Sequence, residues 1–193
     1  MTKILHATNN IKTRYVQLIN ETMDVLKLAI EWAKAEVFST RFFIFFAIGF
    51  LMASVGFWQL GKTDLAKAYI IPTLVAGILL LIIGSGTNYT NIQRIKQFEK
   101  DFNTDETAFY KSQIERSETT LKQFTFVFKL VPILIIVAAL LILFINTPTW
   151  RAISVTTISM LIIILLIDGN AQSRIVNYHN ELKLLDLKNE IKK

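Results

Sequence analysis

The sequence predicts an all-α, polytopic membrane protein with four transmembrane helices. Of the 193 residues, 52% are hydrophobic and 19% are charged, and an ordinary soluble domain would show similar proportions. Charged residues are missing, however, from four stretches, at 42–61, 68–93, 130–150 and 152–167. A membrane-spanning helix needs about 20 mostly apolar residues, and a soluble domain of this size cannot bury four such segments in one core. We therefore expect four spans arranged as two hairpins.

The alternation of charged and uncharged sequence divides the chain into five segments. These are an N-terminal cytoplasmic amphipathic helix region (1–41), a first transmembrane hairpin (42–86), a cytoplasmic helical connector (87–125), a second hairpin (126–168) and a C-terminal cytoplasmic helix (169–193). The first apolar run begins only at Phe42, so no cleavable signal peptide is predicted, and the first span is expected to be a signal anchor.

The positions of the basic residues predict the orientation in the membrane. Of the 21 Lys and Arg residues, all but Lys62, Lys67 and Arg151 lie in the N-terminal region, in residues 87–129 or in the C-terminal region. Basic residues are retained on the cytoplasmic side. Both termini and the connector are therefore expected in the cytoplasm, with the loops at 61–67 and 146–151 outside. This arrangement predicts an integral protein of the plasma (inner) membrane.

Local sequence predicts two breaks between helices. A Thr-Pro-Thr run at 147–149 predicts a tight turn, because proline fixes φ and cannot continue a helix. Within the connector, residues 103–106 predict the end of one helix and the start of the next. Asn103 or Thr104 is the expected N-cap there, and the acidic residues that follow suit a first helical turn.

The N-terminal region carries an apolar heptad seam. Its members recur at spacings of four and three residues: Ile19, Met23, Leu26, Ile30, Ala33 and Val37. A seam of this length favours contact with another helix, in a bundle or a coiled coil. The polar face has too few Lys and Arg residues to favour the bilayer surface. The connector and C-terminal helices also have apolar faces, so these segments are expected to pack on one another, within or between protomers.

Small residues predict close helix packing in the first hairpin. They lie at helical spacing on its two spans, as Gly49, Ala53 and Gly56 on the first and Gly77 and Gly84 on the second. Small residues let spanning helices approach closely where hydrophobicity gives no driving force.

The polar content of the spans argues against a proton-coupled transporter, because no ionisable residue lies near a midplane. The outer half of the fourth span carries four hydroxyl side chains, Ser154, Thr156, Thr157 and Ser159. Their commoner role is to bond the backbone one turn back. The other interpretation is that they line a polar pore or cleft.

The composition excludes several kinds of chemistry. The chain has no cysteine, which excludes disulfides, thiol redox chemistry and cysteine nucleophiles. The two histidines, His6 and His179, are too far apart in sequence to predict a metal site, and no phosphate-binding or nucleophile motif is present. No cofactor is predicted. Basic and acidic residues interleave, so nucleic acid is not an expected partner.

One local pattern resembles an enzyme motif. The run from Arg174 to His179 is similar to the R-x4-H motif of HEPN ribonucleases, in which an arginine and a histidine from two helices converge on an RNA phosphate. The resemblance implies that Arg174 and His179 would form a catalytic pair. It covers six of the 193 residues, and two polar residues on a cytoplasmic helix are the commoner source of such a spacing.

These observations favour a non-enzymatic protein that self-associates through its cytoplasmic and transmembrane helices, as a pore or another membrane effector. The alternative is a membrane scaffold or immunity-type protein whose cytoplasmic helices recruit a protein partner. A membrane-tethered HEPN-like ribonuclease is a distant third. The expected partners are the lipid bilayer and further copies of the chain, with a cytoplasmic protein in the alternative.

Overall fold

The chain is almost entirely helical. The computed structural model describes the backbone of residues 2–191 and the side chains of residues 25–185. Within that range there are five helices and no strand: α1 (Thr2–Leu60), α2 (Asp64–Ala68), α3 (Ile70–Thr104), α4 (Glu106–Phe144) and α5 (Pro148–Ile191). The all-α prediction is confirmed, and four of the helices are long and apolar enough to cross a membrane.

Each long helix continues through the boundary between charged and uncharged sequence. In α1, for example, the N-terminal region and the first uncharged stretch form one helix with no break near residue 41. We refer to residues 42–86 and 126–168 as the apolar half of the molecule. The polar half comprises the described residues 25–41, 87–125 and 169–185.

The break in the connector lies where the sequence predicts it, but its cap is a different residue. Thr104 is still helical, and its hydroxyl donates to the carbonyl of Lys100 at 2.8 Å. Asp105 has an extended backbone and accepts a hydrogen bond from the backbone N–H of Ala108 at 2.9 Å. The prediction of Asn103 or Thr104 as the N-cap is therefore wrong, and Asp105 caps α4.

The predicted turn at 147–149 lies earlier in the chain. Helix α4 ends at Phe144, residues 145–147 connect, and Pro148 is already the first residue of α5. Proline suits that position, because its missing N–H would have no partner within the helix. The loop between α1 and α3 contains the short helix α2, which the side chain of Thr63 caps.

Helices α1 and α3 run antiparallel in close contact through the apolar half. A Cβ atom on Gly77 would lie 2.8 Å from Cγ of Leu51 and 3.1 Å from the carbonyl oxygen of Ala47. One on Gly84 would lie 2.8 Å from Cβ of Phe43. Because backbone atoms are among these neighbours, only a residue without a side chain fits at either position.

The glycines of α1 have a different environment. A Cβ atom on Gly49 or Gly56 would meet no described atom within 4 Å, so neither glycine packs on α3. Phe45 and Met52 lie on the same side of the helix at spacings of four and three residues, and they are 68% and 69% exposed. We call Phe45, Gly49, Met52 and Gly56 the open face of α1. Ala53 is half-buried.

Helix α5 lies between α1 and α4 in the apolar half. Its Ile167 joins Phe43 and Ala47 of α1 and Leu80 of α3 in a small buried core. On another side, Phe128 of α4 packs near Gly169. Most large side chains of α4 in this half are exposed, as are many on α1 and α3. The apolar half therefore presents much uncovered hydrophobic surface.

The polar half, by contrast, has a core to which all four long helices contribute. Its buried members are Val25, Ala29, Trp32 and Ala33 of α1, Phe98 of α3, Phe109 of α4, and Ile175, Tyr178 and Leu182 of α5. The indole of Trp32 stacks on the ring of Tyr178, with ring centroids 5.1 Å apart. Phe98 and Phe109 meet edge to face at 5.7 Å. The polar half is thus a packed four-helix bundle.

Candidate functional site

A network of polar side chains lies in the polar half, where one part borders the apolar half and the other lies about three helical turns from it. Each long helix contributes to it: Glu36, Ser39 and Thr40 from α1, Asn88, Asn91 and Arg94 from α3, Gln113, Arg116 and Ser117 from α4, and Arg174, Tyr178 and His179 from α5. No other region of the described residues brings charged groups from different helices together in this way, so we take it as the candidate site.

An ion pair joins α1 to α5 within this network. The guanidinium of Arg174 donates from Nε and Nη2 to Oε1 of Glu36, at 3.2 and 3.0 Å. Its Nη2 also donates to the hydroxyl of Ser39 at 2.7 Å. Burial raises the pKa of Glu36 above its ordinary value, although Arg174 acts in the opposite direction. This contact is the only ion pair within 4 Å between described residues.

A second link joins α1 to α3. The side-chain amide of Asn88 donates to Oγ1 of Thr40 at 2.9 Å, and that hydroxyl donates in turn to the carbonyl of Val37 at 2.8 Å. The two links place polar bonds on two sides of α1, directly where the apolar half begins.

The hydrogen bonds of Ser117 indicate which ring nitrogen of His179 carries the proton. Oγ of Ser117 lies 2.7 Å from Nδ1 of His179 and 2.7 Å from the carbonyl oxygen of Ile114. A carbonyl only accepts, so the single hydroxyl proton belongs to that bond. With the hydroxyl proton on the Ile114 bond, we expect Nδ1 of His179 to donate to Ser117 and Nε2 to be the acceptor of a neutral ring. Burial and then Lys183 lower the pKa of His179, which favours the neutral form.

Arg174 and His179 are not brought together within one protomer. Residues five apart on a helix point in directions that differ by about 140°. Accordingly, Arg174 bonds α1 through Glu36, whereas His179 bonds α4 through Ser117. Both side chains take part in contacts that hold the bundle together.

A buried pair of polar side chains lies beside the histidine. The hydroxyl of Tyr178 donates to Oε1 of Gln113 at 3.1 Å, and both residues are buried. Burial raises the pKa of Tyr178, so the hydroxyl remains a donor. Nε1 of Trp32, which stacks on this ring, is buried and has no hydrogen-bond partner.

Two arginines of the network have no carboxylate partner among residues 25–185. Arg94 donates from Nη1 to Oδ1 of Asn91 on its own helix, at 3.0 Å. The guanidinium carbon of Arg116 lies 5.3 Å from the centre of the Phe98 ring, a cation–π contact. Nη1 of Arg116 is buried and has no hydrogen-bond partner. Burial lowers the pKa of both arginines.

The structure places the predicted seam partly inside the protomer. Ala33 is a buried member of the polar core, and Leu26 and Ile30 pack against that core, while Val37 is half-buried. The side chains of Ile19 and Met23 lie outside the described residues. The most buried stripe of α1 also includes Val25, Ala29 and Trp32, which the seam does not contain.

The hydroxyls of the fourth span have mixed surroundings. Ser154 and Thr156 are buried, and neither side-chain oxygen has a hydrogen-bond partner. Ser159 donates to the carbonyl of Val155 at 2.9 Å, as the commoner interpretation expects, and Thr157 is half-buried. A pore lined by Ser154 or Thr156 would have to run through the protomer and not between protomers.

Sequence reasoning overlooked several residues of the network, above all Glu36, Arg94 and Arg116. A lone acid on the last turns before an uncharged stretch, as Glu36 is, could have signalled a buried ion pair, but its partner lies far along the chain. No group of three or more His, Asp or Glu residues within the described range is placed to hold a metal ion.

Comparison with known proteins gives no relative of this chain. No protein-family model matches it, no curated protein is similar in sequence, and no solved structure matches it.

Proposed function

We propose that this chain is an integral membrane protein that self-associates and acts on the membrane without catalysis, as a pore or a similar membrane effector. The observation that carries the proposal is the contrast between its two halves. The polar half buries its own core, whereas the apolar half leaves large side chains uncovered on all four long helices. An exposed apolar surface of this extent is typically covered by lipid or by another protein surface.

The membrane assignment rests on the length and composition of the four helices and on the positions of the charges. Each of the four long helices is long and apolar enough to cross the hydrocarbon core. The basic residues gather in the polar half and at the termini, so the polar half belongs in the cytoplasm by the positive-inside rule. In this arrangement α1 with α3, and α4 with α5, form the two transmembrane hairpins.

The open face of α1 is the surface that we assign to self-association. Lipid covers a glycine as readily as any other residue, but a second helix gains close backbone contact there. On this face Gly49 and Gly56 alternate with Phe45 and Met52, so the bulky residues of one copy can enter the gaps left by the glycines of another. Such packing provides dispersion contacts in a solvent that gives no hydrophobic driving force.

The number of protomers in the purified full-length protein tests the proposal. Light scattering in mild detergent is expected to give a defined assembly of several copies. Reconstituted liposomes are then expected to release a small fluorescent dye in proportion to the assembled fraction. A monomer that leaves liposomes sealed would contradict the proposal.

A scaffold that recruits a cytoplasmic protein is the second candidate, and the position of the seam favours it. Leu26 and Ile30 lie against the core of their own protomer, so they are already partly used for folding. In this case the polar half would act as a rigid platform. Replacing Leu26 and Ile30 by Asp then destabilises the protomer itself, through buried unpaired charge, and does not merely split an assembly.

The HEPN-like alternative has less support from the geometry. A ribonuclease site would need Arg174 and His179 to face a common phosphate, and each is bonded to a different helix of the protomer. Ser117 is fully buried and is already engaged with His179, so the pair does not offer an accessible nucleophile.

A further inference from the structure

Two arginines of the polar network, Arg94 and Arg116, form no ion pair with another described residue. Arg94 lies on α3, and Phe98 lies one turn further along the same face of the helix. Arg116 reaches across from α4 and covers the Phe98 ring at 5.3 Å. Phe98 itself is buried. The guanidinium of Arg94 points back towards Asn91, one turn earlier on α3, and it lies near enough to Arg116 for the two charges to repel each other.

Among the described residues no carboxylate lies within 4 Å of either arginine, although both side chains are half-buried. Glu36 is bonded to Arg174 and acts on Arg94 only at longer range, and Asp101 acts on Arg116 in the same way. The proximity of Arg116 contributes to lowering the pKa of Arg94. Two half-buried like charges with no carboxylate in direct contact are costly.

One nitrogen of the pair is also unsatisfied, since Nη1 of Arg116 is buried and has no hydrogen-bond partner in the described part of the chain. Guanidinium groups present planar sets of donors that match the oxygens of a phosphate. An oxyanion bound between α3 and α4 would neutralise the unpaired charge and accept a hydrogen bond from the unpaired donor.

We propose that Arg94 and Arg116 form a binding site for a phosphate group, which a membrane lipid supplies through its headgroup. The position of the site supports this source. Arg94 is the first charged residue after the uncharged stretch 68–93, and it lies about two helical turns beyond the apolar half, at the depth assigned to the lipid headgroups. Basic pockets between helices at this level are suited to acidic headgroups. The lipid source rests on the proposed membrane insertion, whereas the phosphate site itself does not.

The test uses the full-length protein in non-ionic detergent and follows its thermal unfolding. Three additions are compared: phosphatidylglycerol, phosphatidylcholine, and inorganic phosphate against chloride at equal ionic strength. Phosphatidylglycerol is expected to raise the unfolding temperature and to remain bound in native mass spectra. A rise of the same size with inorganic phosphate would assign the site to a soluble phosphate and overturn the lipid source.

Matched variants locate the site. Arg94→Gln and Arg116→Gln are each expected to weaken lipid binding about tenfold or more, the loss of one charge-assisted interaction. Lys96→Gln makes the same charge change at an exposed position two residues from Arg94 and is expected to bind as the wild type does. The rise in unfolding temperature on adding lipid is measured relative to the same variant without lipid, so a lower stability of Arg116→Gln does not hide the result. Arg94→Gln carries the test alone if Arg116→Gln does not fold.

Wild-type affinity in both arginine variants would overturn the proposal, as would an equal loss in Lys96→Gln. Neither result would affect the proposed self-association, which is measured separately by the mass of the assembly.

Discussion

Glu36 on α1 and Arg174 on α5 are joined by two hydrogen bonds, at 3.0 and 3.2 Å, across 138 positions of the sequence. The pair lies where the polar half meets the apolar half, and Ser39 adds a third bond to the same guanidinium at 2.7 Å. It therefore fixes α1 against α5 at the boundary between the polar half and the apolar half.

Replacing Arg174 by Gln is expected to lower the free energy of unfolding. A fully buried partner left alone costs about 3–5 kcal/mol, but the Arg174 and Glu36 side chains are 29% and 16% exposed, so solvent screening reduces the expected loss to about 1–3 kcal/mol. Chemical unfolding in detergent measures it. In a double-mutant cycle, the double variant Glu36→Gln/Arg174→Gln is expected to lose less free energy of unfolding than the two single variants lose in sum. Additive losses would mean that the pair is not coupled.

Gly77→Leu is expected to destabilise the fold, whereas Gly56→Leu is not. A side chain at Gly77 would meet Leu51 at 2.8 Å and the backbone of Ala47 at 3.1 Å, while one at Gly56 would meet nothing within 4 Å. Overpacking typically costs about 1–3 kcal/mol. The thermal unfolding temperature of the two variants provides the comparison, since both make the same substitution. Equal stability would contradict the packing of α1 on α3.

His179 is expected to be a neutral ring protonated at Nδ1. Nitrogen chemical shifts of ¹⁵N-histidine protein in a His6→Gln background should therefore report the Nδ1–H tautomer, and a proton on Nε2 would contradict the assignment. Because the folded-state pKa of His179 is lowered, the unfolded chain binds the proton more readily. Stability should thus be complete above the unfolded pKa of about 6.5 and fall as the pH drops below it. His179→Gln should flatten that dependence.

The natural absence of cysteine allows a direct test of topology. Single cysteines at Lys62 and Thr149 are expected to react with a membrane-impermeant maleimide in intact cells, because both lie in the loops assigned to the outside. A cysteine at Asp105, between α3 and α4, should react only after the membrane is opened. Labelling of the Asp105 site in sealed cells would reverse the orientation.

The long helices were predictable because their signal is local. An uncharged stretch long enough to span a membrane imposes a helix, since the backbone must satisfy its own hydrogen bonds. The break near residue 104 was equally readable, although the cap is Asp105. The continuity of α1 through residue 41 was less evident, because a change of composition resembles a change of element.

The candidate site was much less predictable, because it depends on contacts between distant residues. Periodicity gives the face of a helix on which a residue lies but not which neighbour that face meets. Gly77 and Gly56 therefore looked alike in the sequence, yet only Gly77 meets another helix. In the same way, nothing near Glu36 in the sequence indicates that its partner is Arg174.

The mass of the assembly with an altered open face tests the central claim most directly. The double variant Gly49→Leu/Gly56→Leu fills the gaps of that face without touching the described packing of the protomer. Gly86→Leu is the matched control, because a side chain there also meets no described atom within 4 Å but lies on α3. Light scattering of the purified proteins in one detergent is expected to give the full assembly for the wild type and Gly86→Leu, and a smaller species of unchanged helicity for the double variant. A double variant that keeps the wild-type mass, or a wild type that is itself a monomer, would contradict self-association through α1.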